Sequence, residues 1–133
     1  MVIPEEVRVG SVYYKVELTD KPIILNGRQC LGLCDKYTHL IQLDPSLQDD
    51  QSLIQTFYHE LAHAMMFERG IDLQALGLSY DDFEDVIDGI GIMMHQVLLD
   101  NPDLTLTPEE FDEKYPPEEE AKEKEEPKGK VEL

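Results

Sequence analysis

His59-Glu60-Leu61-Ala62-His63 is the stretch of this chain on which its reading turns. On a helix four residues turn through about 400° and rise about 6 Å, so both imidazoles project from one face and can grip one ion. Glu60 sits about 100° round the helix, where its carboxylate can reach a water on that ion without being a ligand itself.

The flanking residues mark a helix around this pentamer. Asp49, Asp50 and Ser52 offer capping oxygens and negative charge near its start, and Gly70 after Glu68-Arg69 is a stop. Ile54, Phe57, Leu61, Ala64 and Met65 recur at spacings of three and four, which predicts that this face is core. Ala62 and Ala64 are small and add no bulk around an ion.

A third ligand is available downstream. Ser79-Tyr80-Asp81-Asp82 reads as a second helix start, with Ser79 as cap. Phe83, Val86, Ile87, Ile90, Met94, Val97 and Leu98 then form an apolar stripe of helical period. Glu84 and Asp88, four apart, look in one direction. An acidic first turn also suits the helix dipole, which is the plain alternative for Glu84. Asp88 lies beyond that turn, beside Ile87 and Ile90. A buried carboxylate there needs a donor, and the free ring N–H of a zinc-bound histidine is one.

Over residues 38 to 99 the chain resembles gluzincin-type zinc metallopeptidases, in particular the small ImmA/IrrE-like and zincin-like proteins of phages and mobile elements. In gluzincins the HExxH helix is followed by a helix bearing Glu-x-x-x-Asp, matched here by Glu84-Asp85-Val86-Ile87-Asp88. The resemblance implies Zn2+ held by His59, His63 and Glu84, Asp88 holding the imidazole of His59, and Glu60 as the catalytic base and acid. It also implies an α+β fold: a minimal zincin-like domain with a small antiparallel sheet packed on the HExxH helix and on a second, Glu-bearing helix. The expected function is a small endopeptidase that hydrolyses a peptide bond with a metal-activated water, acting on a protein or peptide, for instance a regulatory protein. The alternatives are a zincin-fold binding module without turnover, motivated by the little room a short chain has for a deep cleft, and an acidic decoy of a nucleic-acid-binding surface. For the oxyanion donor, Tyr80, Tyr58 and His95 are all conceivable.

Composition bounds the rest. At 133 residues and 41% hydrophobic content, the chain suits one domain over residues 1–108 and an acidic, disordered tail over 109–133. No apolar run has membrane-spanning length and the start lacks the features of a signal peptide, so a cytoplasmic location without membrane contact is expected. The formal charge is −18, with −12 in residues 1–108 and −6 in 109–133. That argues against direct nucleic-acid binding, which needs clustered Lys and Arg, and suits a basic protein substrate. Cys30 and Cys34 would lie roughly 13 Å apart on an extended strand, so both are expected as reduced thiols.

Residues upstream of the helix read as strands. Val7 to Leu18 alternates Val12, Tyr14 and Val16 against Tyr13, Lys15 and Glu17. Asn26-Gly27 signals a hairpin, and Gln29 to Cys34 and Thr38 to Leu43 pair around Asp35-Lys36-Tyr37. In zincins an edge strand adds the substrate peptide to the sheet, and Thr38 to Leu43 is the nearest candidate. Thr107-Pro108-Glu109-Glu110 caps a short helix through Phe111 and Tyr115. His39 and His95 are expected to be structural, and the Met65-Met66 and Met93-Met94 pairs to be packing residues.

Overall fold

The computed structural model describes residues 3–117. Its order is β1 (Glu6–Val9), β2 (Val12–Leu18), β3 (Ile23–Leu25), β4 (Arg28–Cys30), β5 (Gly32–Asp35), β6 (Leu40–Leu43), α1 (Asp50–Arg69), α2 (Tyr80–Asp100) and α3 (Pro108–Lys114). One compact unit ends at Val97 and a second begins at Leu98. This is an α+β arrangement in which a small sheet is packed against helices. No helix among the described residues is long and apolar enough to cross a membrane.

The main sheet runs β1-β2-β6-β5. It is mixed, which corrects the expectation of an antiparallel sheet: β2 and β6 pair in parallel, from Lys15–Leu40 to Leu18–Leu43. The span from Val7 to Leu18 is two strands rather than one, because the chain turns at Gly10-Ser11 and pairs Val9 with Val12. A turn of that kind is hard to see in an alternating sequence that continues on both sides of it. Asn26 and Gly27 have φ of 53° and 77° and join β3 to β4 as a separate hairpin, as their side chains dictate. β5 pairs antiparallel with β6 as expected, which leaves β5 at the edge and β6 inside. The edge strand nearest the HExxH motif is therefore β5, and not Thr38 to Leu43.

α1 begins where Asp49 accepts a hydrogen bond from the Ser52 N–H and ends at Gly70, whose φ of 79° closes the helix by donating to Met66 and Phe67 carbonyls. It packs on β5, β6 and β1. Leu53, Phe57, Ala62 and Ala64 are buried with Tyr14, Ile41 and Leu43 of the sheet, so the two alanines let the helix approach its neighbours. Met65, expected in the core, is 39% exposed. The buried face of α1 is centred on Leu53, Phe57 and Ala64, and Met65 lies about 100° from Ala64.

α2 starts with Ser79 Oγ accepting from the Asp82 N–H. It meets α1 at Gly91, where a Cβ would stand 2.9 Å from the Tyr58 carbonyl oxygen and 3.0 Å from the His59 nitrogen. Gly91 approaches Tyr58 and His59 while Glu84 approaches His63, so the two helices run antiparallel. In the second unit Thr107 and Glu110 form a reciprocal cap at the start of α3, as the sequence indicates. The remainder of the expected tail, from residue 118, lies outside the described residues.

The contact at Gly91 generates a paired prediction. Gly91→Ala should lower thermal stability by about 1–3 kcal/mol, because backbone rather than a flexible side chain meets the new methyl group. Gly89→Ala, in the same helix with nothing within 4 Å of its Cβ position, should raise stability by roughly 0.5–1 kcal/mol. Parallel thermal melts check both signs.

Candidate metal centre

His59 and His63 leave α1 on the side that faces the first turns of α2. His59 Nε2 lies 3.1 Å from Glu84 Oε1, and His63 Nε2 lies 3.1 Å from Glu84 Oε2. One ligand atom from each of these three residues falls within 4.8 Å of the others, a cluster that could chelate a metal ion. The HExxH spacing and the carboxylate from the next helix thus meet as the sequence indicates.

The donor set fits a cation on electronic grounds. His59 Nδ1 lies 3.1 Å from Asp88 Oδ1, and a carboxylate can only accept, so that nitrogen carries the proton. A neutral imidazole then presents its Nε2 lone pair to Glu84 Oε1. Two electron pairs facing each other at 3.1 Å repel unless a proton or cation stands between them. His63 differs in its surroundings: its Nδ1 is buried without a hydrogen-bond partner, and it lacks the outer acceptor that His59 has in Asp88. Burial, opposed by the Glu84 carboxylate, holds the His63 pKa below its ordinary value and favours the neutral ligand form.

Asp88 makes the contact to His59 but is exposed, against the expectation of a buried carboxylate. The bond lies at the mouth of the cleft, where solvent reaches the carboxylate, so desolvation does not force the pairing.

Glu60 is 7% exposed although it is charged by type. Gly32 at the start of β5 abuts it, with the Cβ position 3.1 Å from Glu60 Oε2 and 2.7 Å from Thr56 Cγ2, so β5 closes over the carboxyl group. Desolvation pushes its pKa up to about 7, against an opposing influence of the neighbouring His59, and the Glu84 carboxylate adds to the rise.

These groups line one cleft of about 900 Å³, bounded by the β3–β4 hairpin and β5 on one side and by α1, the Gly70–Ser79 connection and the start of α2 on the other. The chain is therefore long enough to form a cleft beside the cluster. Tyr80, 56% exposed, lines it, and the Glu84 carboxylate is the main cause that raises its pKa. Tyr58 and His95 stack on each other, with ring centroids 4.7 Å apart, and neither lines the cleft. His39 packs edge-on against Tyr14, which donates to Glu68. Cys30 and Cys34 are free thiols, both on the cleft wall. Lys36, which the sequence did not single out, caps Phe67 at 4.9 Å from the ring centroid at the far end of the same wall.

A pH dependence follows for the metal-free protein. The folded pKa of Glu60 is raised above the ordinary 4.5, so folding binds its proton more tightly. The corresponding stability is present in full below about 4.5 and is lost as pH rises through about 7. The stability of Glu60→Gln minus that of the unsubstituted chain, measured by denaturant titration with chelator, should grow over that window by about 3 kcal/mol and then level off. Taking the difference cancels the opposite contribution of His63, which is common to both proteins. Separately, His63→Ala and Glu84→Ala should each lose most of about one equivalent of bound metal by elemental analysis. Compared with known families, curated proteins and solved structures, the chain gave no significant match, so the reading of this centre rests on its own geometry.

Proposed function

We propose that the chain is a small zinc-dependent endopeptidase of the gluzincin type, resembling the ImmA/IrrE-like proteins of phages, with its metallopeptidase domain in residues 1–108. The observation that carries this reading is the convergence of His59, His63 and Glu84 in the cleft that also holds the buried carboxyl group of Glu60. His59 and His63 would hold the zinc through Nε2 and Glu84 through its carboxylate. Bound there, zinc supplies Lewis-acid chemistry: it polarises a carbonyl and brings the pKa of water towards about 7.

The chain's own residues supply the rest. Asp88 accepts from His59 Nδ1–H, fixing the tautomer that aims the Nε2 lone pair into the cluster. Glu60 has a proton affinity matched to neutral pH, so its carboxylate takes the proton of the attacking water and returns it to the departing amine. Tyr80, kept protonated by the Glu84 charge, is the phenol on the cleft wall and supplies the hydrogen bond to the developing oxyanion. The outer edge of β5 beside Glu60 offers backbone groups that pair with an extended substrate segment. The acidic surface favours basic protein substrates over nucleic acid.

The direct test is Glu60→Gln. This variant should keep about one equivalent of zinc while cleavage of a peptide library falls by about 10²–10⁴-fold. Cleavage at the original rate with zinc retained would reject the mechanism, and chelator-insensitive cleavage would reject the metal.

A further inference from the structure

We propose that the outer face of α2 is a docking surface for a basic amphipathic helix of a protein partner, independent of whether the metal centre turns over. Val86, Ile90, Met93 and Val97 follow one another at steps of four, three and four, which places them within about 60° on the helix surface. Val86 is 40% exposed, Met93 61% and Val97 42%, with Ile90 half-buried between them, whereas Ile87 and Gly91, centred about 110° further round the helix, pack inward. The apolar stripe of α2 is therefore wider than the part buried at Ile87 and Gly91, and its outer border is exposed at Val86 and Met93. Beside that border, Gly89 has nothing within 4 Å of its Cβ position, so a partner backbone can come close.

The charges on the helix select the occupant. Tyr80–Asp100 contains six acids and no Lys or Arg. Glu84 and Asp88 turn to the imidazoles, while Asp82 and Asp85 are exposed beside the apolar row. A second copy would bring one acidic row against another on chains of formal charge −18 each. An anionic lipid surface meets the same repulsion. A helix with its own apolar stripe at i, i+3, i+4 and Lys or Arg along its borders matches the row with apolar contact and the acids with ion pairs.

Fluorescence anisotropy with the full chain tests this. The probe is a labelled synthetic helix with Leu on one face and Lys on the other. The controls are a peptide of the same composition scrambled to destroy the stripe, and a Leu/Glu version. The Leu/Lys helix should bind at least about tenfold more tightly than either control. Val86→Gln combined with Met93→Gln should weaken binding by about tenfold or more, the consequence of losing two apolar anchors. Met93→Gln alone, at the most exposed position of the row, serves if the double variant fails to fold. Asp82→Asn with Asp85→Asn should weaken binding several-fold and flatten its salt dependence. Equal binding of the scrambled peptide, or loss on charge substitution with none on apolar substitution, would overturn the proposal in favour of unspecific attraction. Equal binding of the Leu/Glu helix would overturn the charge argument. Concentration-dependent self-association in sedimentation, abolished by Met93→Gln, would make a second copy the occupant and would also overturn it.

Discussion

The close contact between α1 and α2 at Gly91 is the constraint on which the centre depends. With no side chain at that position, the backbone of α2 reaches the carbonyl of Tyr58 and the nitrogen of His59. Seven residues earlier, about two turns and roughly 10 Å back along the axis, Glu84 lies on the same side of α2. Because the helices are antiparallel, that displacement carries it along α1 to the two imidazoles. A larger residue at position 91 would push the helices apart and open the distances at Glu84 with them.

Once the helices are fixed, the electrostatics of the site are largely determined. A carboxylate with one oxygen toward each imidazole, a second carboxylate on the outer nitrogen of His59, and a third carboxyl group buried one residue away make a strongly electron-rich pocket. Such a pocket favours bound cations and protons. The same surroundings lift Glu60 towards neutrality: Gly32 and Thr56 exclude water from it, and the Glu84 carboxylate adds to the effect. The site is thus organised around shortage of positive charge, in a chain whose overall charge has the same sign.

Most of the helical half was legible in the sequence because its signals are local. Asp49, Gly70, Ser79 and Thr107 each perform the cap or stop their chemistry suggests. The imidazole spacing and the Glu84–Asp88 spacing are properties of a single helix each, and their meeting needed only that the two helices pack. The sheet was less legible. Parallel pairing of β2 with β6 is decided by which strand fills the gap next to β2, and no residue in Val12–Leu18 or Leu40–Leu43 announces its partner. For the same reason nothing in the sequence marks β5, rather than β6, as the edge strand. The exposure of Asp88 and of Met65 could not be read from periodicity, which gives the direction of a side chain and says nothing of how far the neighbouring element extends over it. Gly32 and Gly91, whose missing side chains make room for Glu60 and for α1, carry no signal apart from being glycine.

The pairing of β2 with β6 also bears on how the molecule comes together. β1–β2, β3–β4 and β5–β6 are hairpins that close short loops, whereas Lys15 and Leu40 are joined across 24 intervening residues. Non-local contacts pay their loop-closure entropy before they gain any reward, so the hairpins are the early structures and the parallel ladder is the late one. Among the described residues β5 joins the sheet through β6, and β5 is what covers Glu60. The β5–β6 hairpin packs directly on α1, the next long element in the chain, so the cover over Glu60 and the proton affinity it creates belong to the early, local structure, and the late parallel ladder only adds β1 and β2 to it.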